Sequence, residues 1–266
     1  MDLQLAGKTA LVAGGSRGIG KAIALQLARE GADMVLAARN KDRLDAAARE
    51  IAGATGRKVI GIVVNTGDDA SVRALGEQAL AALGHIDILV NASAEPGGYA
   101  PVPALTDVKS EFVDEEINIK VKGYIRCAQA VVPSMKASGW GRIVNLSGLA
   151  ARQSGNIVGS LRNVAVSSLS KNLADELGPF GINVTCVHPG STFTERTMPA
   201  VEERAKRQNI TPAELLKRMA DANSIKHIVT AEEVAKVVVF LCSPASIAIN
   251  GETIAAGGGT PRAIYY

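Results

Sequence analysis

The stretch Thr9-Ala10-Leu11-Val12-Ala13-Gly14-Gly15-Ser16-Arg17-Gly18-Ile19-Gly20 decides the fold. An apolar run of strand length feeds straight into a glycine-rich turn. Behind the turn, Gly20 to Arg29 reads as a helix with Ile23, Ala24, Leu27 and Ala28 on one face. The same unit recurs down the chain. Strand signals fall at Met34 to Ala38, Val59 to Val64, Ile86 to Asn91, Arg142 to Leu146, Ile182 to Val187 and Thr253 to Ala256. Helix-period segments separate them at Leu44 to Ala52, Ser71 to Leu83, Phe112 to Ala137, Asn156 to Leu177 and Ala231 to Leu241. Strands that are apolar throughout and alternate with helices imply a parallel sheet covered on both faces. The expectation is a doubly wound α/β (Rossmann) sheet of about seven strands with right-handed crossovers. No repeat, linker or low-complexity stretch interrupts residues 1–266, so one domain is expected. Ser191 to Thr230 stands outside the alternation. It is charged, helical over Pro212 to Ala222, and placed where an α/β sheet binds its ligands, so it reads as a helical lid.

Composition narrows the function classes. Of 266 residues, 47% are hydrophobic and 21% charged, the balance of a globular protein with a large core. No run approaches the roughly 20 apolar residues of a membrane span, and the N-terminus lacks the pattern of a secretory signal. The three cysteines, Cys127, Cys186 and Cys242, are too few and too scattered for a disulfide framework or a metal site. Reduced core thiols of a cytoplasmic protein fit them better. The net charge is +3 with dispersed Lys and Arg, and one Trp, four Tyr and four Phe supply no stacking platform. Neither nucleic acid nor membrane is an expected partner.

The glycine turn admits close backbone approach, and the helix behind it offers free N–H groups to a pyrophosphate. Its spacing, Gly14-x-x-x-Gly18-x-Gly20, resembles the short-chain dehydrogenase/reductase family. Four further stretches are similar to that family, in the same order. They are Asp87-Ile88-Leu89-Val90-Asn91-Ala92-Ser93-Ala94, Gly141-Arg142-Ile143-Val144-Asn145-Leu146-Ser147, Asn183-Val184-Thr185-Cys186-Val187-His188-Pro189-Gly190, and Asn250-Gly251-Glu252-Thr253-Ile254 with Gly257-Gly258. The resemblance implies a dinucleotide held by Gly14, Ser16, Arg17, Gly18, Ile19, Gly20, Arg39, Asn40, Asn65, Asn91, Lys120, Pro189, Gly190 and Thr194. At the tip of the second strand, Ala37-Ala38-Arg39-Asn40-Lys41 has no carboxylate to bind a free ribose 2′-hydroxyl. Arg39, with Arg17 across the turn, suits a 2′-phosphate, which makes NADP(H) the expected cofactor; the alternative is that Arg39 and Lys41 are solvated charges at a helix start. Asn65 stands where the family usually has an Asp near the adenine.

The resemblance also implies a Tyr acid/base, a Lys four residues later, a Ser that polarises the substrate oxygen, and an Asn on the preceding long helix. This chain departs from that pattern. None of Tyr99, Tyr124, Tyr265 and Tyr266 lies between Ser147 and Pro189. Counting back from Leu173-Ala174-Asp175-Glu176-Leu177 and Pro189-Gly190 puts the family's Tyr at Gly159 and its Lys at Asn163. The family's Ser falls at Gly148, with Ser147 one residue before it, and its Asn falls at Lys120, with Asn118 on another helical face. Lys and Asn thus exchange helices, and Lys120, Asn163 and Ser147 are the candidate catalytic residues. Alternatively, Lys120 faces solvent and Asn163 is a surface polar residue, or a shifted register pairs Ser167 with Lys171. The proton donor stays open among Lys120, Tyr124 and Tyr99, with Ser147 and Ser160 as hydrogen-bond donors to substrate and His188 as structural.

Three functions fit these residues. One is an NADP(H)-dependent oxidoreductase acting on a small-molecule carbonyl or alcohol through a rearranged site. A second is a cofactor-binding homologue without turnover, serving as a sensor or partner subunit. A third is an isomerase or lyase on the same fold. The family pairs its two long helices across subunits. Surplus apolar residues on both (Ile125, Val131, Val132; Val164, Val166, Leu169) imply a homodimer or homotetramer.

Overall fold

The computed structural model describes residues 2–94, 102–262 and 264. Seven strands, β1 (Thr9–Ala13), β2 (Asp33–Ala38), β3 (Val59–Val63), β4 (Ile88–Asn91), β5 (Gly141–Leu146), β6 (Ile182–Pro189) and β7 (Thr253–Ala256), form one sheet in the order β3-β2-β1-β4-β5-β6-β7. Every neighbouring pair is parallel. Alternate residues of each strand feed two separate cores, as the pleat requires. Ala10 and Val12 of β1 pack with α1 (Gly18–Arg29), α2 (Lys41–Thr55) and α9 (Ala231–Leu241). Leu11 and Ala13 face α3 (Asp69–Leu83), α5 (Gly123–Ser138) and α6 (Ile157–Leu177) on the other side. The chain winds outward from β1 in one direction and from β4 in the other. A crevice therefore opens at the carboxyl ends of β1 and β4.

Boundaries moved where caps, not periodicity, set them. α1 begins at Gly18, two residues before the expected start at Gly20, because the glycine turn is itself the first helical turn. Asn156 is not in α6 but caps it, its side chain accepting from the Gly159 N–H at 2.8 Å. Cys127, Cys186 and Cys242 are buried and unbridged. Among the described residues no helix is long and apolar enough to cross a membrane, and no cluster could hold a metal ion.

Two segments differ from expectation. The long helix read over Phe112 to Ala137 is three pieces: α4 (Ser110–Glu116), a π-helical turn Ile117–Lys122, and α5. The Gly123 N–H reaches back five residues to the Asn118 carbonyl, and Arg126 Nη1 donates to the same oxygen at 3.2 Å. A second donor on that carbonyl keeps the widened turn satisfied, and apolar spacing alone does not register it. The segment 191–230 carries one more helix than its periodicity shows, α7 (Thr197–Gln208), before α8 (Pro212–Asp221). Val201 and Ala205 of α7 pack on Leu215 of α8 in a small core of their own, too few apolar residues to signal a helix. Phe193 bridges Thr230 and closes the neck of the insertion.

A buried ion pair holds the π turn against α6. Glu116, the residue before the turn, pairs with Arg162, and both side chains are buried. Removing one partner strands a charge in the interior, whereas removing both does not. Arg162→Met or Glu116→Leu alone should therefore destabilise the protein by about 3–5 kcal/mol in urea unfolding, and the double substitution by much less than the sum of the two.

Candidate active site

The crevice is a cleft of about 800 Å³ that runs from the glycine turn to the π turn and under α7 and α8. At one end Gly14 has φ +86°, and a Cβ there would lie 2.6 Å from the Ala92 carbonyl carbon. A side chain at Gly20 would run into the Gly14 carbonyl. Only glycine lets β1, the β4 loop and the start of α1 meet this closely. Ser16, Arg17, Gly18, Ile19 and Gly20 line this end of the cleft with Arg39, Asn40 and Arg43 from the β2 tip. The Gly18 N–H already holds an anion, the Glu195 carboxylate from the 191–230 insertion, at 3.0 and 3.2 Å. The helix start thus binds negative oxygens, as its dipole and free N–H groups dictate.

Pro189, Gly190 and Thr194 line the floor of the cleft beyond β6. Two residues expected at the cofactor lie elsewhere. Asn65 turns its amide oxygen onto the Gly67 N–H at 3.0 Å and does not line the cleft, whose wall there is Val64 and Thr66. Asn91 is fully buried beneath the cleft. It donates to Asn145 Oδ1 at 2.9 Å, and Asn145 donates to Ser170, a strut tying β4 and β5 to α6. Asn40 lines the cleft while its side-chain oxygen caps α2.

At the other end Lys120 leaves the π turn and enters the gap between β5 and α6. It is 4% exposed. Its Nζ donates to Asn163 Oδ1 at 2.8 Å and to the Ser147 carbonyl at 3.0 Å. An ammonium has three N–H donors, these contacts use two of them, and Lys120 also lines the cleft. Burial penalises the charged form and brings the lysine down to about 8. Ser147 Oγ donates to the Asn163 carbonyl at 2.8 Å, and Ser147 lines the cleft. Lys120, Ser147 and Asn163 therefore form one hydrogen-bonded group, brought together from the π turn, the end of β5 and α6. Asn118 faces the other way, donating to the Gly67 carbonyl.

Gly148 and Gly159 border the same end of the cleft. Neither carries a side chain, and the Asn156 amide folds over Gly159, where a Cβ would lie 2.8 Å from the amide carbon. The other proton-donor candidates sit away from this group or are committed. Tyr124 is 1% exposed and donates its hydroxyl to the Leu146 carbonyl at 2.9 Å, and burial raises the phenol well above its ordinary value. His188 bonds Ser167 at 2.9 Å and is held neutral, its imidazole pushed down to about 4 by burial. Ser160 donates to the Gln153 carbonyl, and Lys171 is an exposed partner of Asp175, so the shifted register places neither Ser167 nor Lys171 on the cleft. Tyr99 lies outside the described residues. Sequence reading missed Arg162, Asn156, Arg43, Glu195 and Arg204; all but Glu195 line the main cleft, and only the cap signal of Asn156 before Ile157 was visible in advance.

Comparison with known proteins agrees with this geometry. The family profile described as Enoyl-(Acyl carrier protein) reductase matches residues 13–260. Dehydrogenase/reductase SDR family member 4 of Oryctolagus cuniculus is 35% identical over 97% of this chain and 95% of its own. NADPH-dependent reductase BacG of Bacillus subtilis is 30% identical over 97% of this chain and 99% of its own. The crystal structure of L-sorbose reductase from Gluconobacter frateurii, complexed with NADPH and L-sorbose, superposes with a TM-score of 0.93 at 31% identity, covering 99% of this chain and all of that one. With the glycine turn, the strand order and near end-to-end relatives all in agreement, the chain belongs to the short-chain dehydrogenase/reductase family.

Proposed function

We propose that the protein is an NADP(H)-dependent oxidoreductase that interconverts a small-molecule carbonyl and alcohol, with Lys120 as its acid and base. The observation that carries this reading is the buried Lys120 ammonium, bonded to Asn163 and open to the cleft. The turn at Gly14 and Gly20, closed to any side chain, and the Gly18 N–H that already holds a carboxylate fit a dinucleotide's diphosphate. NADPH-bound and NADPH-dependent relatives support the nicotinamide. Arg17 and Arg39 line the cleft where a 2′-phosphate would lie, with no carboxylate at the β2 tip. When bound, the reduced nicotinamide supplies a hydride to the carbonyl carbon.

The chain's own residues handle the oxygen. Lys120 passes one proton from Nζ to the oxygen as it gains negative charge, giving the alcohol and a neutral amine, and Asn163 and the Ser147 carbonyl hold that amine in place. Ser147, its hydroxyl proton given to the Asn163 carbonyl, fixes α6 beside the lysine. The α7–α8 insertion is a lid that excludes water from the transfer. The family's Tyr is dispensable on this reading, because a lysine near 8 is already matched to neutral pH. A second reading, a cofactor-binding homologue without turnover, is favoured by the bare Gly148 and Gly159. Transfer of deuterium from 4-deuterated NADPH to a carbonyl substrate decides between them. Binding of NADPH without any transfer would overturn the first.

The oligomer is a further part of the proposal. Ile157, Leu161 and Val164 form an exposed apolar stripe along α6, suited to a second copy. A monomeric mass by light scattering would refute a homodimer or homotetramer.

Two outcomes test the residue roles. Arg39→Asp should weaken NADPH binding by about 1.5–3 kcal/mol and leave NADH binding nearly unchanged, read by calorimetric titration. Carbonyl reduction should fall as pH rises through about 8, since the ammonium is the acid, and Lys120→Met should abolish it. Folding stability should change oppositely. Between about 8 and the ordinary lysine value the unfolded chain binds more protons than the folded one, so stability rises with pH there, and Lys120→Met should remove that rise.

A further inference from the structure

No Asp or Glu lines the main cleft among the described residues, yet basic side chains line it from end to end. Arg17, Arg43 and Arg196 gather around the glycine turn, and Arg39 stands at the β2 tip; the cofactor's phosphates account for these. Three cations remain: Lys120, Arg162 and Arg204. Lys120 belongs to the reacting centre, and Glu116 balances the charge of Arg162. Arg204 is left over.

Its surroundings single it out. Thr197, Ala200, Val201 and Arg204 of α7 all line the cleft, the i, i+3, i+4, i+7 face of one helix. That face runs about 10 Å along α7, at roughly 1.5 Å per residue, from Thr197 to Arg204. Met219 of α8, with Ala222 and Asn223 just past its end, lines the same cleft. Along the helix the positions three and four residues from Arg204 are Ala200, Val201, Arg207 and Gln208, so no acid can pair with it locally. The nearby Glu203 pairs with Arg207 instead, at 3.6 Å. Arg204 makes no hydrogen bond or ion pair with any described residue. Arg204 is exposed on the cleft wall, and a guanidinium bordering a cleft with no acid among its described lining residues suits a planar or tetrahedral anion.

We infer that the substrate is a small organic anion, a carboxylate or a phosphate monoester, whose charged group is held by Arg204 while its carbonyl lies at Lys120. The inference rests on the oxidoreductase reading for the second contact only. The anion site itself can be measured without turnover.

The test uses the full chain with saturating NADP+, so that the phosphate-binding arginines are filled. Pyruvate and glycerol 3-phosphate are the anionic probes, and methyl pyruvate and glycerol are their uncharged counterparts, with binding read by saturation-transfer NMR and by thermal midpoint. At least one anion should bind and outcompete its counterpart, and which one does separates carboxylate from phosphate. Arg204→Gln should weaken that anion about tenfold or more, with NADP+ affinity held. The inference is overturned if neither anion binds better than its neutral counterpart. It is equally overturned if Arg204→Gln leaves the anion alone, or if that change weakens NADP+ in its place. Anion binding lost with Arg204 but no deuteride transfer to any carbonyl would keep the site and sink the redox reading. Efficient transfer to neutral carbonyls without preference for anions would do the reverse.

Discussion

A single buried cation organises one end of the cleft. Lys120 sits between β5 and α6 with 4% of its surface exposed, and an ammonium there must be hydrogen-bonded or it would shed its proton. Asn163 and the Ser147 carbonyl meet that need. Much of the neighbouring structure follows from it. The π turn swings Lys120 inward, Arg126 adds a second donor to the Asn118 carbonyl of that turn, and the Glu116–Arg162 pair pins the turn to α6. Ser147 bonds the Asn163 carbonyl and so fixes the helix that carries the acceptor. Each contact is modest by itself; together they place one nitrogen at the mouth of the cleft.

The fold was legible because its signals are redundant. β1 and β7 coincide with their apolar runs to the residue, and α9 does the same, bounded by a Thr230–Glu233 capping box. β1 is buried along its whole length and reads as a short run ending at the glycine turn. The misreadings have two causes: a widened turn held by polar contacts, and an apolar stripe too thin to read. The π turn keeps the helical repeat of apolar residues almost intact, so Phe112 to Ala137 looks continuous. α7 packs only two aliphatic residues, Val201 and Ala205, against α8, which leaves too thin a stripe to detect.

The site divides the same way. Glycines at 14, 18 and 20 and the β2 tip announce themselves through composition, because no other residue type satisfies those positions. Asn65 and Asn91 were placed by position in the resemblance and turn out to serve the backbone and the sheet. A polar residue near a ligand site has two employers, and sequence position cannot say which holds it. Arg162 and Glu116 were invisible for another reason: they lie 46 residues apart, and nothing local marks either as buried. The Lys120–Asn163 contact was reachable only because two departures from one family pattern were complementary.

That complementarity explains how the family's chemistry would survive the loss of its phenol. In the pattern the chain resembles, a Tyr gives up its proton beside a fixed Lys, so the local charge falls from about +1 to zero during reduction. On the reading proposed here, the ammonium of Lys120 gives up the proton itself, and the local charge makes the same change. The two arrangements reach neutral pH from opposite sides. A phenol must be pulled down by a cation, whereas a lysine must be brought down by burial, and Lys120 is brought to about 8. One desolvated side chain then does what two did, and the positions of the phenol and the serine are released to Gly159 and Gly148. The Asn156 amide covers part of the space at Gly159. Losing the Tyr and keeping a reductase are therefore compatible, provided the lysine stays buried, and every contact around Lys120 acts to keep it so.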